Sequence, residues 1–269
     1  MKKIGTILSL CCILVISGCG GRSTSEGITS MIIGGSTSIQ PLMESIAETY
    51  NEKNDALVSI QGGGSSVGIK GTEDGTFQLG MVSRELKPEE AKQLDQTIIA
   101  LDGIVVVVHK DNPVDSITME QLKDIYTGKI TNWKNVGGDD KEIAVVSREE
   151  GSGTRDGFES IVGFTSSELI RNSDIQNATG SIISDVSVNE HGIGYISLGS
   201  LSDNVKVLEI DGVLPSEESV KDGTYKIQRA FLLVQKKGEK QGSELFDFIF
   251  SEEGKKLIEA HNYIPVERK

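Results

Sequence analysis

Residues 147–158, Ser-Arg-Glu-Glu-Gly-Ser-Gly-Thr-Arg-Asp-Gly-Phe, constrain this chain more than any other stretch. They follow the β-forming run Ile143 to Val146 and lead into Phe158, Ile161 and Val162, spaced like one face of a helix. A strand must therefore hand over to a helix across a glycine-rich turn. The first-turn N–H groups of such a helix have no internal partner, and its dipole end is positive. Gly151 and Gly153 admit close backbone approach, and Ser152 and Thr154 add hydroxyls. Arg148 supplies a planar cation suited to two oxygens of a tetrahedral oxyanion. A capped helix after an ordinary turn would use the same residue types, so the motif alone does not establish a ligand site.

The same chemistry recurs twice upstream. Gly34-Gly35-Ser36-Thr37-Ser38 follows the apolar run Met31 to Ile33 and precedes a helix pattern of Ile39, Leu42, Met43, Ile46 and Tyr50. Pro41 fits its first turn, where no backbone N–H is needed. Gln61-Gly62-Gly63-Gly64-Ser65-Ser66 follows the strand-like Ala56 to Ile60 and opens a helix near Val67. Stripping water from a small oxyanion is costly unless donors meet nearly every lone pair. Convergent helix N-termini supply such donors without several buried lysines, so the pattern predicts recognition by dipoles plus one arginine.

The start of the chain carries a different signal. Lys2-Lys3 and the apolar stretch Ile4 to Ile16, too short to span a bilayer comfortably, end at Ile16-Ser17-Gly18-Cys19. This resembles a bacterial lipoprotein signal, in which the cysteine is lipidated and becomes the mature N-terminus. Residues 1–18 are therefore expected to be removed, and Cys19 to anchor the protein by lipid at the extracytoplasmic face of the cell membrane. The small, polar residues 19–30 are expected to form a tether. Cys11 and Cys12 would leave with the signal, so the fold must stand without disulfides. About 250 residues remain, enough for one large domain or two smaller ones. Loss of Lys2 and Lys3 leaves 25 basic against 40 acidic residues, a charge of −15. That argues against nucleic-acid binding through a basic surface. An acidic protein that binds an anion must do so through a local field.

Further along, Thr76 to Val82 reads as a strand ending at Ser83-Arg84-Glu85-Leu86-Lys87, and Pro88-Glu89-Glu90 starts a polar helix. Ser83 stands at a strand end, where open α/β sheets place ligands. Arg84, beside acids, reads as a surface or structural ion pair. Ile98 to Val108 is the most strand-like run, with Asp102-Gly103 interrupting it as a turn or bulge where the chain crosses between domains. Trp133 reads as a local core anchor, and Ser181 as the cap of a helix carrying Ile182, Ile183, Val186 and Val188. Arg229 to Gln235 is a second long apolar strand, followed by helices. Two crossing strands predict two α/β lobes with a cleft between them, one from 31–105 plus 229–269 and the other from 106–228.

These motifs, with Ser251-Glu252-Glu253-Gly254 and Asn262-Tyr263-Ile264-Pro265, resemble in order the phosphate-binding proteins of bacterial ABC importers, over nearly all the chain beyond the signal. The resemblance implies a type II periplasmic-binding-protein fold, with two α/β lobes joined by a two-strand hinge and closing over one phosphate. It also implies permease subunits as partners, with no cofactor, no metal and no catalysis, and a monomer. Carried over by motif, it implies phosphate donors at Thr37, Ser38, Ser65, Arg148, Ser152, Gly153 and Thr154, with Ser36 beside them and Glu150 orienting the arginine. One position departs. Many members carry, after the third strand, an aspartate that accepts the proton of hydrogen phosphate and so rejects sulfate, and Ser83 stands there instead. A hydroxyl can donate or accept, so it discriminates less. Asp156, and after it Asp102, is the acid expected to take that role, although Asp156 also suits an ordinary first turn.

Other classes fare worse. A serine-dependent phosphatase acting through Ser152 needs a base, and His109, His191 and His261 all lie outside the motifs. A nucleotide P-loop fails at Ile69-Lys70, where Lys and then Ser or Thr are required. A signalling protein without a ligand would show a degraded site, and this one is intact. Receptors for sulfate or molybdate remain open, since each presents the same tetrahedral oxygens.

Overall fold

The computed structural model describes residues 30–268. The signal segment, Cys11, Cys12, the lipidation candidate Cys19 and the tether up to residue 29 lie outside the described residues. The chain opens with β1 (Ser30–Gly35), α1 (Gln40–Asn54), β2 (Leu57–Gly62), α2 (Ser65–Asp74), β3 (Leu79–Val82) and the single turn α3 (Glu90–Gln93). The long strand β4 (Leu94–His109) carries it into a second lobe. There follow β5 (Ser116–Ile117), α4 (Met119–Tyr126), β6 (Ala144–Arg148), α5 (Gly153–Val162), β7 (Asp174–Gln176) and α6 (Thr179–Val188). That lobe continues through β8 (Gly192–Ser197), β9 (Val205–Val207), β10 (Glu209–Ile210) and α7 (Glu217–Lys221). Strand β11 (Gln228–Lys236) returns to the first lobe, which α8 (Ser243–Ile249), α9 (Glu252–Ala260) and β12 (Ile264–Pro265) complete.

The sheet runs β2-β1-β3-β11-β4-β8-β6-β7, with β4 shared by both halves. Its residues 94–103 pair antiparallel with β11, and Ile104 to Val108 pair antiparallel with β8. Sequence reading placed a turn or bulge at Asp102-Gly103, but β4 passes through both in register, and the bulge falls earlier on the same strand, at Ile99, which is skipped between the pairs Ala100–Phe231 and Ile98–Leu232. A continuous strand is possible because Asp102 is neutralised where it is buried, by Arg229 of the neighbouring strand. The apolar residues separate accordingly. One cluster gathers residues from Met31 to Ala100 with others from Phe231 to Tyr263, a second gathers Ile104 to Ile227 with Ile264, and a small third one, Ile69, Val82, Leu94, Leu232 and Val234, lies in the first lobe. Trp133 anchors the second, 2% exposed, its indole N–H donating to the His191 carbonyl. Helix α6 begins at Thr179, two residues before the expected Ser181 cap, with Ala178 at its cap position.

Candidate anion-binding site

In open α/β sheets ligands sit beyond the C-terminal strand ends, where the strand order reverses. This chain has two such points. Strand β1 lies between β2 and β3, all parallel, and β6 lies between β8 and β7, again parallel. The loops leaving these strands start α1, α2, α5 and α6, whose N-termini meet in the cleft.

Hydroxyls at the starts of α1, α5 and α6 lie within hydrogen-bonding distance across the lobes. Ser38 Oγ is 2.8 Å from Thr154 Oγ1 and 3.2 Å from Thr179 Oγ1. Thr37 Oγ1 accepts from the Thr179 backbone N–H at 3.3 Å. On the first-lobe side Ser36 Oγ donates to Ser83 Oγ at 2.9 Å, and Ser65 Oγ, 3.2 Å from Ser83 Oγ, accepts from the Ser83 N–H at 3.0 Å. The Ser66 N–H reaches the Gly151 carbonyl at 3.0 Å. Ser38, Ser65 and Ser83 are fully buried, and Thr154 and Thr179 nearly so.

Arg148 ends β6 with its side chain 2% exposed. Its Nη1 donates to Thr179 Oγ1 and its Nη2 to Thr37 Oγ1, both at 3.3 Å. Its backbone is clamped on both sides. The N–H donates to the Tyr195 hydroxyl at 3.2 Å, and the carbonyl accepts from Arg155 Nη1 at 2.9 Å. Tyr195 is held by stacking on Phe158, ring centroids 4.0 Å apart, and burial pushes its hydroxyl up to about 12, so it stays protonated. Arg155, not singled out in the sequence, is itself fixed by Glu159 at 2.6 Å.

The acid on Arg148 is Glu149, not Glu150. Glu149 takes Nε at 2.8 Å and Nη2 at 2.9 Å. Its backbone still pairs with Gln176, and its carbonyl closes the turn onto the Ser152 N–H. Glu150 is left exposed on the outside of that turn.

The remaining expected residues divide. Ser152 caps α5 by accepting from the Arg155 N–H at 3.3 Å, and no histidine is among its hydrogen-bond partners. Gly153 is required by contact, since a Cβ there would stand 2.2 Å from Ser65 Oγ and 2.7 Å from Ser83 Oγ. Gly64, at φ 88°, keeps α2 close to Gly151, whose carbonyl would lie 3.3 Å from an added Cβ.

Neither expected proton acceptor enters the hydroxyl cluster. Asp156 Oδ2 lies 2.8 Å from Arg84 Nε on the flank of α5. Asp102 lies beneath Ser83, fully buried, with Oδ2 on Arg229 at 2.8 Å and Oδ1 accepting from Ser197 and the Leu198 N–H. Thr179 is the residue that sequence reading missed. Its signal was a fourth strand-to-helix junction, Gln176-Asn177-Ala178-Thr179, hidden because only one glycine follows it.

The nearby guanidinium groups of Arg148, Arg155, Arg84 and Arg229 all carry a carboxylate partner. Positive potential in the cleft therefore comes chiefly from helix ends and directed donors. Such a cluster can replace the hydration shell of a small tetrahedral anion.

Comparison with known proteins gives a consistent result. A PBP superfamily domain matches residues 20–253. The Phosphate-binding protein PstS of Bacillus subtilis is 36% identical over 262 residues, 91% of this chain and 83% of its own length. A phosphate ABC transporter substrate-binding protein from Clostridium perfringens, solved with bound phosphate, is 47% identical with a TM-score of 0.86, covering 89% of this chain and 100% of that one. An ABC-type phosphate transport receptor from Vibrio cholerae is 37% identical with a TM-score of 0.75, covering 88% of this chain and 100% of that one.

Proposed function

Because the chain belongs to the phosphate-binding proteins of the PBP superfamily, we propose that it captures inorganic phosphate outside the cytoplasm and delivers it to an ABC importer. It is a transport receptor and not an enzyme. The observation that carries this reading is the meeting of hydroxyls from the N-termini of α1, α5 and α6 with the buried Arg148.

We assign phosphate contacts to Thr37, Ser38 and Ser65 from one lobe and to Arg148, Ser152, Gly153, Thr154 and Thr179 from the other. Donors on both sides favour closure over one anion, with the crossings of β4 and β11 as the hinge. With Asp156 and Asp102 engaged by arginines, we assign the acceptor for the phosphate proton to a hydroxyl, Ser83 first, supported by Ser36. Cys19 is the proposed lipid anchor, and a Cys19→Ser variant found in the membrane fraction as before would remove that assignment. The receptor is taken to meet its permease as a monomer.

Calorimetric titration of the purified, anion-stripped protein with phosphate and then sulfate, at two pH values, tests the function. Tight phosphate binding with little sulfate response is expected. Equal binding of both would keep an oxyanion receptor and remove the phosphate assignment. Arg148→Ala should fold and bind about 2–5 kcal/mol more weakly, through loss of charge-assisted donors in a dry site.

A further inference from the structure

The side-chain ion pairs among the described residues stay within a lobe or within the crossing strands, with one exception. Arg84, just after β3, grips Glu90 of its own lobe through Nη1 at 2.7 Å and Nη2 at 2.9 Å. The Lys87 N–H also donates to Glu90 at 2.7 Å, which fixes the acid. The remaining nitrogen, Nε, lies 2.8 Å from Asp156 on α5 of the other lobe. This is an ion contact without an aligned hydrogen bond. The arginine side chain is 6% exposed and the aspartate 31%. Both stand at a cavity lined from the two lobes, by Lys87, Gln228 and Ala230 on one side and Gly157 and Ser160 on the other.

The pair is tied to the anion site by chain position. Arg84 adjoins Ser83, and Asp156 lies two residues after Thr154. A motion that draws Ser83 away from Gly153, where an added Cβ would stand 2.7 Å from the Ser83 hydroxyl, also separates Arg84 from Asp156.

We propose that Arg84 and Asp156, with Glu90 holding the arginine in place, form a latch that favours the closed lobes and slows release of the bound anion. The proposal rests on the phosphate-receptor reading above. When the lobes part, Arg84 keeps Glu90, and Asp156 keeps water and the N-terminal end of α5. The attraction between them is thus present only on closure, which is what a device needs to shift an open–closed equilibrium. Release must break it, whereas encounter with phosphate precedes it, so the effect falls on dissociation. These are positioning residues, with no contact to the anion.

The test is a chase of radiolabelled phosphate from the purified protein, with association measured separately. Asp156→Asn should release phosphate about three- to tenfold faster, the range expected for a partly exposed pair, with association nearly unchanged. Arg84→Gln should behave alike, and the double variant should release no faster than either single one. Asp156→Glu should restore part of the retention. Unchanged release, or single effects that multiply in the double variant, would overturn the latch. If the wild-type protein holds no phosphate, the receptor reading fails, and small-angle scattering then decides the latch alone. A more extended Asp156→Asn protein would support it, and superposable profiles would overturn it.

Discussion

At the scale of single residues, Gly153 leaves no room for a side chain between the lobes. A methyl group there would fall on Ser65 Oγ and Ser83 Oγ, which belong to the opposite lobe, so the clash exists only when the lobes meet. Gly153→Ala is therefore expected to keep its unfolding midpoint within a few degrees while losing at least about tenfold in phosphate affinity, as read by calorimetry and thermal denaturation together. Loss of both would mean that the closed contacts are part of the fold's own stability. The residues legible in the sequence, Ser38, Ser65, Arg148 and Thr154, share one property. Each sits at a strand-to-helix junction whose glycines and hydroxyls advertise a helix start. That Glu149 and not Glu150 meets Arg148 is not legible in composition, because the turn decides which of two adjacent acids faces back along the strand. That Asp156 faces Arg84 is hidden for another reason: the arginine is distant in sequence and reaches it only through the meeting of lobes.

At the scale of elements, the crossing of β4 and β11 supports the site from below. Arg229 holds Asp102 through Nε at 2.9 Å and Nη2 at 2.8 Å, stacks over Phe231 at 5.2 Å, and donates from Nη1 to the Ser83 carbonyl at 3.3 Å. Asp102 in turn accepts from the Ser197 hydroxyl at the end of β8 and from the N–H of Leu198 just after it. The pattern of apolar strands announced two crossings, but it showed Asp102 only as an interruption, because a buried acid looks like a turn until its cation is known. Burial pushes the Asp102 carboxyl up, and Arg229 is the first of the groups that pull it back. Arg229→Met should consequently lose about 3–5 kcal/mol at neutral pH, the cost of leaving one buried charge alone. Without the guanidinium the carboxyl moves further upward. A carboxyl raised in the folded state contributes stability below its unfolded value and loses it as pH rises through the folded one. The deficit of Arg229→Met relative to wild type should thus shrink as urea denaturation is repeated from pH 7 down toward pH 4. A deficit that is constant or grows would mean that Asp102 finds another cation.

At the scale of the whole molecule, the protein takes up an anion while carrying a net charge of −13 over the full chain. The cleft does not offset this with free cations, because Arg148, Arg155, Arg84 and Arg229 are each matched by an acid. Attraction by helix ends fades within about the first turn, whereas the field of the net charge extends over the Debye length, about 30 Å at 0.01 M salt and about 8 Å at 0.15 M. A phosphate approaching from solution is therefore repelled at long range and held only at contact. Screening should relieve the repulsion and leave the buried contacts nearly untouched. Raising sodium chloride from about 0.01 to 0.15 M should thus increase the association rate of phosphate by a factor of about two or more, with the dissociation rate nearly constant. Most anion sites built on open basic surfaces would respond in the opposite direction. A rate that falls with salt would mean that a basic approach to the cleft outweighs the acidic surface.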